Sequence, residues 1–388
     1  MTTGQAIRRR VETDVRAAEA SVISLSHAIH ADPEPAFAEV NASRALGELL
    51  EAHGFTVEYG LWELPTAVRA SIGAGELHVA ICAEYDALPE IGHACGHNVI
   101  AAAAAGAALG LRSVADELGL TVTVLGCPAE EGGGGKALMI ERGAFSGVDA
   151  AMMIHPGPEE NWQMTGPAAG QIAVEFTGRA AHAGGNPEDG VNAADAMTLS
   201  QVAIGLLRQQ LAPDDRIAGV IDAAGTAPNV IPDFSRGRWV LRAPTAERLF
   251  ALRDKVTRCF EAGAHATGCE LSVTRPAPEY LDLRQDPELV ALFSENARRL
   301  GREPSNGAER FAGASTDMGN VSHILPTIHP MLGLGCAPAA NHHADFTAAA
   351  ISPAADRAVI DGAIAMAWTA VDLAERDASA RRRTAALR

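Results

Sequence analysis

The stretch LHVAICAEYDALPEIGHACGHN, residues 77–98, decides how the chain folds. Its opening, LHVAICAEY (77–85), is predominantly apolar, the composition of a strand buried on both faces. Acidic and turn residues follow at once. After His97 comes VIAAAAAGAALGL (99–111), which reads as a helix running on to about Leu118. TVTVLGCP (121–128) repeats the buried-strand pattern, KALMIERGAF (136–145) is helical, and DAAMMIHP (149–156) is a third strand. Strands alternating with helices predict an α/β domain with a mostly parallel sheet. In such sheets functional groups collect just beyond the carboxyl ends of the strands. EYDALP, PAEEGG and IHPG all occupy that position.

Outward from this core the pattern changes twice. Residues 6–53 are helical, interrupted near Pro33 and Pro35. Beyond about 169 the chain reads as strand (170–182), helix (192–211), strand (GVIDAAG), strand (RGRWVLRAP), helix (245–267) and strand (CELSVTRPA), a β-α-β-β-α-β arrangement. From about 285 it returns to helix, then strand and loop over 321–335, then a last helix to about 375. The expected organisation is two domains. A catalytic domain is formed by 1–168 and 284–388, and an α+β, ferredoxin-like domain is inserted at 169–283.

Composition narrows the class. A length of 388 residues is too much for one ordinary domain. The net charge of −17 offers no basic field to recruit nucleic acid or an anionic membrane. The one basic run, RRRTAALR at the end, reads as a solvated tail. The first twenty residues lack a signal-peptide core, and the longest apolar run is too short to cross a bilayer. A cytoplasmic protein is expected, with its six scattered cysteines as reduced thiols.

Cys95 and His97 flank Gly96, and a tight turn at glycine lets both side chains point at one centre. Thiolate and imidazole together suit zinc or a similar ion, although the triplet alone reads more simply as a buried Cys and a surface His. Glu130 and Glu131 are adjacent carboxylates at a strand end. One can bind metal while the other takes a water proton; an exposed acidic turn explains them equally well. His155 closes the third strand, and His342 and His343 lie in the loop ANHHADF. Asp86, on the same rim, can orient a His ligand from behind.

The ordered set EYDALP, GHACGHN, PAEEGG, IHP, GRAAHA, APNVIP, STDMGN and NHHADF resembles the amidohydrolase branch of the aminoacylase and carboxypeptidase metallopeptidases. That branch contains p-aminobenzoyl-glutamate hydrolase, hippurate hydrolase and β-alanyl-lysine dipeptidase-like proteins. The likeness runs from HADPEPAFAE (30–39) to the last helix. It implies two divalent ions per subunit, zinc or manganese. Cys95 is implied to contact both, with His97, Glu131, His155 and His342 as further ligands, and Glu130 as general base. His342 is preferred to His343 because it stands four residues before Phe346. Glu84 stands where other branches have a His ligand, which leaves its contact with metal open. In the inserted domain the resemblance implies that Arg242 and Asn229 anchor the substrate and that His182 stabilises the oxyanion. His182 and Asn229 are implied to reach across a homodimer; Arg242 reads also as a surface strand residue. The expected reaction is hydrolysis of the amide bond of an N-acyl amino acid or dipeptide-like small molecule beside a free carboxylate. The water is activated by metal, and Asp86, Glu130 and His182 take part. Two rivals stand against this: a non-hydrolytic binding protein, and an enzyme using Cys95 as a covalent nucleophile with His97. A narrow-specificity dipeptidase or p-aminobenzoyl-glutamate hydrolase is a variant of the same reading.

Overall fold

The computed structural model describes residues 3–305 and 314–386. Its strands, in chain order, are β1 (Thr56–Tyr59), β2 (Val68–Ile72), β3 (Leu77–Glu84), β4 (Leu120–Cys127), β5 (Ala150–Met152), β6 (His155–Gly157), β7 (Ala168–Thr177), β8 (Arg216–Ala224), β9 (Phe234–Ala243), β10 (Glu270–Thr274), β11 (Thr327–Ile328) and β12 (Met331–Gly333). The chain divides into two compact units. One holds Met1–Thr165, Leu283–Ala312 and Asn320–Arg388, and the other Gly166–Asp282 and Gly313–Gly319.

The first of these is built on a six-stranded mixed sheet in the order β1-β2-β4-β3-β5-β11. β3 pairs in parallel with β4 and β5, and β11 in parallel with β5. β1 and β2 add an antiparallel margin that the sequence did not announce. These two strands are short and only partly buried, so they carry no continuous apolar signal. The third expected strand divides in two. β5 stays in the main sheet, while β6 leaves it to pair with β12. That break turns His155 away from the sheet.

Against this sheet lies the helix His97–Leu111, every residue of which is buried. Its Ala-rich composition follows from its position: it packs on β3 and on the long helix Pro353–Ala386, so it is apolar all round rather than on one stripe. It stops at Leu111, and a separate short helix, Ala115–Leu118, takes up the rest of the expected run. The last helix continues past 375 to Ala386. The side chains of the basic run RRRTAALR lie outside the described residues.

The second compact unit has a four-stranded antiparallel sheet, order β10-β7-β9-β8. Helices Ala193–Leu207 and Ala246–Thr267 pack on it through a separate apolar core that includes Phe176, Trp239 and Phe260. Both helices are capped as their sequences require. Asn192 accepts from the amides of Ala194 and Asp195, and Thr245 accepts from that of Arg248. β7 ends at Thr177, so GRAAH lies in a loop after it. No described helix is long and apolar enough to cross a membrane.

Candidate metal centre

The ends of β3, β4 and β5 deliver three loops to one place. After β3, Gly96 adopts a left-handed φ of 79° and caps the helix that begins at His97. A Cβ here would stand 2.5 Å from Pro156 Cγ, so only glycine lets the turn pack against the His155 strand. The turn is what allows Cys95 and His97, two residues apart, to face the same point. After β4, Ala129 is held at φ 57° by its amide's hydrogen bond to the buried Glu39 carboxylate, at 2.8 Å. That strained residue aims Glu130 and Glu131. At the far end of this turn a Cβ on Gly135 would stand 1.7 Å from the carbonyl oxygen of Pro128, so the run of glycines is needed to fold the chain back on itself. The loop before the last helices joins the group through Asn341, whose side-chain amide donates to the Pro156 carbonyl at 3.3 Å, and through the His342 amide on the Ala94 carbonyl at 2.9 Å.

Two sets of donor atoms converge as a result: Cys95, His97 and His155, and Cys95, Glu131 and His342. Within each set the atoms lie within 4.8 Å of one another, and Cys95 belongs to both. Cys95 Sγ is 3.5 Å from His155 Nε2, and Glu131 Oε1 is 3.1 Å from His342 Nε2. A third set joins Glu84, His97 and Glu130. His343 belongs to none of the three; it stands just before the helix Ala344–Ala349, and its side chain makes no capping hydrogen bond there.

Asp86 ties the loops together. One oxygen is 3.0 Å from His97 Nδ1, and the other accepts the Glu131 amide at 2.8 Å. With Nδ1 engaged, His97 turns Nε2 into the centre, the arrangement that fixes ring orientation in metal-binding histidines. His155 does the same by donating Nδ1–H to the Pro156 carbonyl at 2.7 Å, leaving Nε2 with its lone pair.

The donor set fits a divalent cation. His97 Nε2 and Glu84 Oε2 are buried and make no hydrogen bond, although they lie 3.4 Å apart. Glu130 and Glu131 oxygens are 3.9 and 4.0 Å from the same nitrogen. Burial, and then the charge of Glu131, pushes the Cys95 thiol well above its ordinary range, so a thiolate here calls for a cation beside it. Burial and the charge of His97 lower His155 to about 4, which keeps it a neutral ligand. Burial opposes protonation of His97 also, but Asp86 and Cys95 outweigh it and raise that pKa well above the usual value.

Three groups near the centre were not singled out from the sequence. Lys136 is fully buried and ion-paired to Glu84. Its signal was present: the chain has only two lysines, and one ends EEGGGGK. His329 is buried edge-on to His155 at 5.4 Å between ring centroids. It lies in a second Ile-His-Pro, residues 328–330, that echoes 154–156. His93 is buried against His30. Burial lowers His93 to about 3 and His329 well below its usual value.

A pH dependence follows. Between pH 6.5 and about 4 the unfolded chain binds protons at His93, His155 and His329 that the native chain does not. Stability therefore falls as the pH drops through that window. His97 acts in the opposite sense, because its raised pKa adds stability that is present below 6.5 and lost as pH rises. With three rings against one, the metal-free protein is expected to lose a few kcal/mol between pH 7 and 4.5, since a pKa displaced by one pH unit is worth about 1.4 kcal/mol. Urea titrations at several pH values measure this; a flat profile would contradict it.

The remaining candidates belong to the second compact unit. His182 and Asn229 are exposed neighbours, joined by the Ala183 amide on the Asn229 carbonyl at 3.0 Å. Arg242 lies on β9 and donates to Ser315 Oγ at 2.9 Å, which in turn donates to the Pro167 carbonyl. STDMGN thus supplies a support for Arg242.

The sequence profile of Peptidase family M20/M25/M40 matches residues 80–359. Over 383 residues the chain is 38% identical to a mouse Xaa-Arg dipeptidase, covering 95% of this chain and 89% of that one. A human Xaa-Arg dipeptidase is likewise 38% identical over 370 residues, covering 90% of this chain and 85% of that one. In fold the chain is similar to a dinuclear metal-binding peptidase of Bacillus subtilis, with a TM-score of 0.69 at 22% identity over 93% of this chain and 99% of that one. The same holds for an aminobenzoyl-glutamate utilization protein of Klebsiella pneumoniae, with a TM-score of 0.73 at 19% identity over 93% and 98%. Strand-end thiol, imidazole and carboxylate donors, on a chain that matches this profile over most of its length, make it a member of Peptidase family M20/M25/M40 and a metal-dependent hydrolase of amide bonds.

Proposed function

We propose that the chain is a dipeptidase-like amidohydrolase with two divalent ions, zinc or manganese, held by Cys95, His97, Glu131, His155 and His342. The observation that carries this reading is the sharing of Cys95 between two donor sets. Bound there, the ions supply polarisation of the scissile carbonyl and a more acidic water. Glu130, buried beside Glu131, takes the proton of the attacking water and returns it to the leaving amine. Asp86 holds His97 and the Glu131 amide in register throughout. Arg242 and Asn229 receive the substrate carboxylate, and His182 donates to the developing oxyanion.

The substrates proposed first are dipeptides with a basic C-terminal residue. The mouse relative is a Xaa-Arg dipeptidase and is similar along nearly the whole chain, and a net charge of −17 favours cationic over anionic substrates. Release of amine from a panel of dipeptides and N-acyl amino acids, before and after chelation and reloading with zinc or manganese, tests both parts. Turnover that survives chelation would favour a Cys95 nucleophile. A fully loaded protein that cleaves nothing in the panel would favour a binding protein.

The division of labour between a catalytic domain (1–168, 284–388) and a dimerisation domain (169–283) is part of the proposal. β8 is an edge strand with Val220 and Ile221 exposed, and the helix Ala193–Leu207 exposes Leu199, Val202 and Leu206. An apolar face of this kind beside an open strand edge suits a two-fold pairing of identical chains. In such a homodimer His182 serves the partner's site. A mixed dimer of His182→Ala and Glu130→Ala subunits then regains activity that both parents lack; a mixed dimer as inactive as its parents would place His182 in its own chain's site or in none.

A further inference from the structure

We propose that Glu84 is a further carboxylate of the metal centre, and that Lys136, buried behind it, is the positioning residue that sets it there. The inference rests on the metal-dependent reading above. Glu84 is fully buried at the end of β3 and divides its two oxygens between two tasks. Oε1 takes the ammonium of Lys136. Oε2 makes no hydrogen bond and lies 3.4 Å from His97 Nε2, itself buried and without one. Donor atoms of Glu84, His97 and Glu130 lie within 4.8 Å of one another, so a cation held by His97 lies within reach of Glu84, with Glu130 beside it as the base.

The lysine needs an explanation of its own. A buried ion pair is a poor source of stability, since desolvation offsets most of its attraction and apolar residues of equal volume do as well. Lys136 is completely buried, in a chain that otherwise carries its positive charge almost entirely on arginine. Its reason lies in the charge of the centre. Cys95 as a thiolate, Glu84, Asp86, Glu130 and Glu131 are five anionic groups in one place. Two divalent ions leave one of those charges over, and the ammonium of Lys136 balances it. Placed on the far side of Glu84, it does so without occupying the centre. The glycine turn that ends at Gly135 is what brings Lys136 to that position, because the Gly135 hydrogen lies where any side chain would strike the Pro128 carbonyl.

The test is zinc affinity, measured on metal-free protein by competition with a chromogenic chelator. The double variant Glu84→Gln/Lys136→Met removes both buried charges together and is expected to keep a thermal midpoint at or above that of the unaltered chain. It is expected to bind zinc about 10–100-fold more weakly, the usual cost of disturbing groups around a metal. Glu84→Asp retains both charges but draws the carboxylate back by one methylene, and a loss in the same direction is expected. Affinity within about twofold of the unaltered chain in a folded variant of either kind overturns the proposal, and Glu84→Asp decides alone if the double variant does not fold. If the unaltered protein binds no zinc or manganese, the metal-dependent reading fails first; if it binds and the variants bind equally, only the present inference fails.

Discussion

Glu130→Gln is expected to lower kcat by about 10²–10⁴-fold, the contribution typical of a positioned general base, with metal content unchanged. The amide matches the carboxylate in size but cannot accept the proton. Glu130 contributes to neither donor set that contains Cys95, so both sets stay whole. The large expected loss follows from its position. It is buried, it follows a backbone kink at Ala129 pinned by Glu39, and its neighbour Glu131 is fixed through the amide by Asp86. Small rotations are therefore unavailable to a substitute. Elemental analysis and turnover on one sample make the measurement. Near-native activity would remove Glu130 from the mechanism, and lost metal would mean that it is a ligand.

Cys95→Ser is expected to lower metal affinity by at least about 10²-fold and activity with it. A hydroxyl is a far weaker ligand for a borderline ion than a thiolate. The loss should reach both ions, because Cys95 is the one residue common to the two sets. The variant also removes a group whose ionisation burial opposes, so the metal-free protein should remain folded and the deficit should show in binding rather than in expression. A covalent mechanism makes the contrary forecast: activity lost, metal retained. Two ions per chain at unaltered affinity in the serine variant would count against a shared thiolate.

The sequence by itself carried the α/β character of the metal-binding part of the chain and the kinds of donor gathered at its strand ends. Long apolar runs such as 77–85 and 121–128 are local signals, and the rule that strand ends deliver functional groups needs no tertiary structure. The resemblance in its motifs pointed to the same peptidase family that the profile and the relatives show. What it did not contain were features that depend on partners far along the chain. β1 and β2 are half-exposed and stand in the sheet only because β4 offers an edge to pair with. β5 and β6 part company because β12 captures His155, Pro156 and Gly157 in a separate pairing. Spacing to Phe346 favours His342 over His343, but what holds His342 beside Glu131 is its positive φ and its amide's bond to Ala94, far earlier in the chain. Lys136 makes the point most directly. In sequence it is a lysine after four glycines; only when the glycine turn closes against β4 does its ammonium meet Glu84, 52 residues away, in a place where water cannot screen the pair. Composition and periodicity report what one segment prefers, whereas a buried charge is fixed by whichever distant group pairs with it.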